Sequence, residues 1–193
     1  MTKQCHQLTF DEKHQINKAI KYAKGMVNFK YSLWKPSMGF PKEDNSPFWK
    51  LNKPTPNISL LKKKGMCCTG LTNLVRRHLN LRVPGGRSIY VGTTSAWYNY
   101  LRAKKRLQKI NFSKQYPKGT LLIQNFNPKD QGHVGILVNS SIKGILESKM
   151  IHAISDRIEG KKYNSVVIEK VKSYPKFKRY THICLPKDWL IKN

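Results

Sequence analysis

The chain has 193 residues, 39% of them hydrophobic, and its 37 Lys and Arg residues against 10 Asp and Glu give a formal net charge of +27. This length predicts a single domain over residues 1–193, and the lack of an apolar run of about 18 residues excludes a membrane-spanning helix. A charge of this size favours non-specific contact with polyanions, including nucleic acid, through the Lys and Arg surface, and a solvated basic face is the competing interpretation.

The cysteines and the N-terminus indicate a reducing compartment. Two of the four cysteines are adjacent, which disfavours a disulfide scaffold, and none has the paired spacing of a structural zinc site. No signal-peptide run precedes the first elements, so we expect an intracellular protein or one packaged inside a virion. We expect no metal and no cofactor. The cysteines are Cys5, Cys67, Cys68 and Cys184.

The first element is a helix that begins at a capping box. Thr9 and Glu12 have the spacing at which each side chain caps the other's backbone amide. Apolar residues then recur at three- and four-residue spacing up to about Val27. Residues 36–64 carry five prolines and predict a long loop or insertion.

Two further helices follow the proline-rich stretch. Leu71, Leu74 and Val75 have helical spacing, which predicts a helix with Cys68 in its first turn that ends before Pro84. A third helix is predicted to begin at Thr93 or Thr94.

After residue 117 the apolar pattern changes from helical to extended. Short β-branched runs predict strands, and helices therefore precede strands along the chain. Such segregation favours an α+β fold in which an antiparallel sheet packs against the helix that carries Cys68. The predicted strands cover residues 120–126, 133–138, 150–154, 165–171 and 180–185.

Cys68 is the candidate nucleophile. A helix N-terminus beside an imidazolium stabilises a thiolate, so we expect the pKa of Cys68 to lie below the ordinary cysteine value. Gly70 permits close backbone approach, and amides of the first turn are candidates for an oxyanion hole. A buried structural cysteine is the alternative.

Two histidines in successive predicted strands are the candidate partners. His133 begins an apolar strand and lies between glycines, whose small size we expect to leave space for a substrate. His152 lies between apolar residues in the next strand. If these strands pair, His152 can orient His133, which is the role of the third member of a nucleophile triad.

These segments, in their order, resemble motifs of the NlpC-like cysteine peptidase superfamily, a branch of the papain-like fold. The family's Asp-Cys-Ser-Gly-Leu-Val at a helix start is similar to Cys-Cys-Thr-Gly-Leu-Thr at 67–72, which assigns the nucleophile to Cys68 and puts Cys67 in place of the acidic residue. The family's Pro-Gly-Asp-Leu, His-Val-Gly-Ile and Ile-His-Ala are similar to residues 117–121, 133–136 and 151–153. Residues 23–34 faintly resemble the family's segment before the nucleophile, and Tyr31 matches a tyrosine near the site.

The resemblance implies a papain-like, NlpC-type thiol hydrolase of the peptidase or amidase class, acting by Cys-His-His catalysis. Cys68, His133 and His152 would be catalytic, with Tyr31, Thr69 and Gly70 around the substrate or the oxyanion. The family's usual substrate is the peptide part of the bacterial cell wall. Because no export signal is found, we expect a peptide, an isopeptide or an acyl-lipid inside a cell or virion to be at least as good a candidate. The alternatives are a non-enzymatic basic protein that binds or packages nucleic acid, and a pseudoenzyme on the same fold.

Overall fold

The computed structural model describes residues 8–32, 57–84, 93–125 and 132–191. Helices fill the first half of the described chain, and an antiparallel sheet fills most of the second. The helices are α1 (Phe10–Lys24), α2 (Ile58–Lys64), α3 (Cys68–His78), α4 (Thr94–Ala103) and α5 (Pro186–Trp189). The strands are β1 (Gln108–Lys109), β2 (Leu121–Gln124), β3 (His133–Leu137), β4 (Lys149–Ile158), β5 (Lys161–Lys170) and β6 (His182–Cys184).

The six strands of the described sheet lie in the order β1-β6-β2-β3-β4-β5, and every neighbouring pair is antiparallel. The predicted α+β class is therefore confirmed at the level of a mixed helix and antiparallel-sheet protein. The predicted pairing of the two histidine strands is also present, because Ile136 lies opposite Ile151 and Leu137 opposite Met150. Every helix in the described ranges is too short or too polar to cross a bilayer.

The helix caps agree with the sequence. Thr9 and Glu12 form the predicted capping box, with Thr9 N–H donating to Glu12 Oε2 over 2.8 Å and Glu12 N–H donating to Thr9 Oγ1 over 3.2 Å. Thr93 caps α4, since its hydroxyl accepts from Ala96 N–H.

The loop predicted for the proline-rich stretch is wrong over its last seven residues. Its last residues form α2, which Asn57 caps by accepting from Ser59 N–H over 2.8 Å. A side-chain cap and seven helix-compatible residues are enough for two turns once Leu61 is fully buried. Residues 36–56 of the predicted insertion, together with Cys5 and the N-terminus before Leu8, lie outside the described residues.

Two apolar clusters cover the two faces of the sheet. Helices α1, α3 and α4 pack on one face, against Val134 and Ile136 of β3. The other face carries Leu137 and Met150 and is covered by the chain between β5 and β6, including Tyr174 and Tyr180. Because successive side chains of a strand alternate between faces, His133 shares the second face with Leu137.

Helix α3 is locked in place by buried side chains. Leu71, Leu74 and Val75 are at most 1% exposed, and burial of each contributes roughly 1.5–3 kcal/mol. Asn73 accepts a 2.8 Å hydrogen bond from Trp97 Nε1, and Arg76 donates to the carbonyl of Trp189 over 2.8 Å. The first turn of α3, with Cys68, is therefore held against the sheet.

Candidate active site

The turn that leads into α3 is capped by a thiol. Cys67 is the N-cap residue, and its sulfur accepts from Gly70 N–H over 3.4 Å. The hydroxyl of Thr69 lies 3.3 Å from the same sulfur. Cys67 therefore fills the capping role that an aspartate or serine fills at other helix starts, and Cys68 is the first residue of the helix.

Cys68 lies where the helix start meets the beginning of β3. The backbone amides of Val134, Thr69 and Cys68 itself are directed at its sulfur and stabilise the thiolate in part. Val134 follows His133 directly in the chain. The nucleophile candidate and the base candidate are thus brought to the same end of the same strand, while contact between Cys68 and His133 stays a prediction.

The expectation of a low pKa for Cys68 is wrong for the resting site. Burial, and secondarily the neighbouring Cys67, raise the pKa of the Cys68 thiol to about 12, against the smaller opposing effect of the three amides. Removal of the sulfur from water disfavours its charged form more than the helix start favours it. Cys68 therefore holds its proton at neutral pH.

The two histidines are directly bonded. His133 Nε2 lies 2.9 Å from His152 Nδ1, and the rings meet nearly edge to face with centroids 5.1 Å apart. This contact exists because β3 and β4 pair in the register that puts both side chains on the same face. His133 is 9% exposed and His152 is fully buried.

Glu169 of β5 continues the chain of hydrogen bonds. Its Oε1 lies 2.6 Å from His152 Nε2, so that both ring nitrogens of His152 are engaged. Burial lowers the pKa of His152 to about 3, against a smaller raising effect of Asp156. Burial, followed by the charges of Glu159 and Asp156, raises the pKa of Glu169 to about 8.

Aromatic rings enclose the histidine pair. The ring centroid of Tyr174 lies 5.4 Å from that of His133 and 5.0 Å from that of His152. The centroid of Tyr180 lies 6.0 Å from that of His133. These rings pack around the pair and limit its rotation.

The expectation that the glycines around His133 leave room for a substrate is wrong for Gly135, whose side is filled, whereas Gly132 lines a cavity beside His133. A Cβ atom at Gly135 would lie 3.0 Å from the hydroxyl of Tyr180, 3.3 Å from Met150 Sδ and 3.7 Å from His152 Cβ. Gly135 therefore accommodates protein side chains from later in the sequence.

A cavity of about 140 Å³ opens on the other side of His133. Tyr31, the residue matched to a tyrosine near the site, lines this cavity together with His133. Tyr31 also lies close enough to Cys68 and Cys67 that their charges, after burial, raise its pKa. The other polar and charged residues that line it are Gln124, Ser155, Asp156, Tyr174, Lys176 and Arg179.

The two candidate oxyanion donors, the backbone amides of Thr69 and Gly70, have different hydrogen-bond partners. The amide of Thr69 points at the Cys68 sulfur, whereas the amide of Gly70 is bonded to Cys67. Thr69 therefore stays a candidate donor near the reacting sulfur, and Gly70 serves the cap. Within the described ranges no group of three or more His, Cys, Asp or Glu side chains is arranged to hold a metal ion.

Sequence reasoning missed Glu169, Tyr174 and Tyr180. The strand pattern does contain a signal for Glu169. It lies two residues from Val167 and two from Val171, which are both buried on the histidine face, so Glu169 shares that face. A glutamate at a buried position of a strand requires a polar partner. The two tyrosines carry no comparable pattern, since each directly follows a three-residue 3₁₀ helix between β5 and β6.

Comparison with known proteins gives weak structural neighbours. No family model matches the sequence, and no curated protein matches it. The P60 domain of an antigen from M. avium subspecies paratuberculosis is 14% identical, with a TM-score of 0.47, over 91% of this chain and 97% of that domain. A wild-type endolysin is 14% identical, with a TM-score of 0.41, over 89% of this chain and 64% of the endolysin, which is less than two thirds of its length.

At this level of similarity the class of protein rests on the fold and site themselves. The chain is an α+β protein that presents a thiol at a helix start and a bonded histidine pair at the end of a neighbouring strand. Such an arrangement can perform nucleophilic attack assisted by a base whose orientation is fixed.

Proposed function

We propose that this chain is a thiol hydrolase of papain-like, NlpC type that cleaves amide bonds as a peptidase or amidase. The observation that carries the proposal is the 2.9 Å bond between His133 Nε2 and His152 Nδ1. His133 is the first residue of β3, and the amide of the next residue, Val134, is directed at the Cys68 sulfur. A histidine pair with a purely structural role would have no reason to lie next to a helix start that carries a thiol.

The chemistry begins with a protonated thiol. His133 removes the Cys68 proton as the sulfur attacks the carbonyl carbon, and the amide of Thr69, which is directed at the Cys68 sulfur, donates to the developing oxyanion. The imidazolium then protonates the leaving amine, which departs and leaves a thioester. His133 next activates a water that hydrolyses the thioester and restores the thiol.

His152 has the third role in this scheme. A neutral His152 that accepts at Nδ1 fixes the ring of His133 and stabilises the imidazolium that forms during attack. Burial keeps His152 neutral, because it lowers the pKa of this ring to about 3.

The substrate class follows from the cavity and the charge. The cavity beside His133 is lined mostly by polar groups. Lys176 is paired with Asp156 there, and Arg179 adds a further positive charge, which suits a polar acyl group with a negative charge. Peptides, isopeptides and acyl-lipids with anionic groups are the candidate substrates, and the net charge of +27 attracts them.

Acylation of Cys68 by a generic activated ester tests the proposal without knowledge of the substrate. p-Nitrophenyl acetate should acetylate Cys68 and then turn over, with the modified cysteine mapped by mass spectrometry. Cys68→Ala should abolish turnover, a loss of at least about 100-fold, whereas Cys67→Ala should retain most of it.

Circular dichroism serves as the control for folding in both variants. Equal loss of turnover in Cys67→Ala and Cys68→Ala, with native spectra, would reverse the choice of nucleophile. If wild-type Cys68 is not acylated while salt-sensitive binding to DNA is present, the non-enzymatic nucleic-acid-binding alternative is the better account.

A further inference from the structure

The hydrogen-bond chain at the site ends on a carboxyl group outside the Cys-His-His set. Glu169 Oε1 is bonded to His152 Nε2, which is linked through Nδ1 to His133. The Glu169 side chain is only 8% exposed. Its second oxygen, Oε2, is buried and has no hydrogen-bond partner within the described part of the chain.

Three lysines that follow Glu169 in the sequence are paired with other carboxylates. Lys170 and Lys172 bind Glu147 over 3.0 Å and 2.6 Å. Lys176 binds Asp156 over 2.7 Å. The titratable groups around Glu169 are His152 and Asp156 from β4, Glu159 from the β4–β5 turn, Tyr163 and Lys170 from β5, and Lys172, Tyr174 and Tyr180 from the segment after β5.

The two hydrogen bonds of His152 and its burial bear on where the imidazole protons of this site lie. Burial and, secondarily, the two neighbouring carboxylates raise the pKa of Glu169, while burial holds His152 neutral. A neutral imidazole carries its proton on one nitrogen only, and the partner of the other nitrogen decides which.

We propose that Glu169 is a positioning residue that sets the ring tautomer of His152 and, through it, that of His133. The inference rests on the proposed function, in which His133 is the base for Cys68. It adds a fourth residue to that site. Protonation of this residue then controls whether His133 can act as the base.

With ionised Glu169, the carboxylate accepts from Nε2–H of His152, and Nδ1 of His152 accepts from Nε2–H of His133. The lone pair of His133 is then on Nδ1, ready for the Cys68 proton. With protonated Glu169, its O–H donates to His152 Nε2, and His152 Nδ1–H donates to His133 Nε2. His133 then carries its own proton on Nδ1 and cannot act as the base.

The two states differ by one proton. As the protonated state converts to the ionised one, Nδ1–H of His133 leaves, Nδ1–H of His152 moves to His133 Nε2, and the Glu169 proton moves to His152 Nε2. A second cavity, of about 380 Å³, is lined by Glu169, Glu159 and Lys172. It connects the Glu169 end of the hydrogen-bond chain with solvent.

Imidazole nitrogen NMR of the full chain tests the proposal independently of activity. Between about pH 6 and about pH 10, both rings of the wild type should change from the Nδ1–H to the Nε2–H tautomer, with a midpoint near the pKa of Glu169, which is about 8. Glu169→Gln should abolish this titration, because an amide does not ionise. Glu159→Gln should move the midpoint to lower pH, because it removes one of the charges that raise the pKa of Glu169. Asp11→Asn, in the exposed first turn of α1, is the control and should leave the midpoint unchanged.

Tautomers that do not change with pH in the wild type, or a midpoint that survives in Glu169→Gln, would overturn the proposal. Should Glu169→Gln fail to give a native circular dichroism spectrum, Glu169→Asp takes its place, and a shifted but present midpoint is then expected. Failure of the proposed function appears separately, as absence of Cys68 acylation in a protein whose histidines still titrate together.

Discussion

At the scale of single residues, the buried thiol of Cys68 decides how the site must work. A charge at a helix N-terminus gains about 0.3–1 kcal/mol, which is less than the roughly 1.4 kcal/mol of one pKa unit. Burial, which raises the pKa of Cys68 to about 12, therefore outweighs the helix. The resting site holds a neutral thiol, so in the proposed function the base removes the proton during attack.

The pH dependence of alkylation follows from this balance. A group whose pKa is raised on folding gains its thiolate only as pH rises toward the folded pKa, so the rate of reaction of Cys68 with iodoacetamide should keep increasing above about pH 9. The measurement is a pH series of rates for Cys68, with Cys68→Ala as the blank for the other thiols. A rate that levels off between about pH 6 and about pH 7 would indicate a preformed thiolate and contradict this prediction.

Individual site residues differ in how far the sequence reveals them. The His133–His152 bond follows from two strands that are close in sequence and therefore pair, so it could be predicted. The burial of Cys68 and the tyrosines around the histidines depend on contacts between distant parts of the chain, which local pattern does not encode. Glu169 lies between these cases. The alternation of side chains along its strand indicates that it is buried but does not indicate which residue it binds.

At the scale of elements, short-range capping carries most of what could be predicted. The Thr9–Glu12 box and the Thr93 cap place two helix starts correctly, because both interactions lie within three residues. Helix α2 was missed, since proline-rich neighbours and three successive lysines mask a seven-residue helix whose only buried residue is Leu61. Its stability comes from packing rather than from local propensity.

Gly65, which ends α2, should be intolerant of a side chain. It has φ = 79°, and a Cβ atom there would lie 2.3 Å from the carbonyl oxygen of Lys30. Gly160 is the matched control, with φ = 81° and no atom within 4 Å of the added carbon. We expect Gly160→Ala to cost about 1 kcal/mol of unfolding free energy and Gly65→Ala at least about 2 kcal/mol more, because only Gly65→Ala adds a backbone clash.

Urea unfolding of both variants measures this difference. Gly65 lies two residues before Cys67, so Gly65→Ala should also lower the acylation of Cys68. Equal losses of unfolding free energy in the two variants would show that Lys30 moves away without cost and that the turn before the nucleophile is not tightly fixed.

At the scale of the whole molecule, the positive charge exceeds what internal ion pairs neutralise. The 37 Lys and Arg residues face 10 Asp and Glu, of which Glu147 and Asp156 are already paired with lysines. The remaining excess must be balanced by counterions or by an anionic partner.

Binding to polyanions should therefore be sequence-indifferent and strongly salt-dependent. Each neutralised phosphate releases a counterion, so the affinity for single-stranded DNA should fall linearly on logarithmic axes as salt rises. Fluorescence anisotropy with two DNA oligomers of unrelated sequence, over a salt series, measures both properties. Affinity that ignores salt, or that differs greatly between the two oligomers, would show that the basic surface has a different role.

The pairing of β3 with β4 also makes the site a reporter of correct assembly. Side chains alternate between the faces of a sheet, so a slip of one residue would carry His152 to the opposite face, among the side chains beneath α3. The bond to His133 and the bond to Glu169 would be lost together. If the proposed function holds, a newly made or partly unfolded chain would therefore be inert, and hydrolysis would begin only after three strands had found their register.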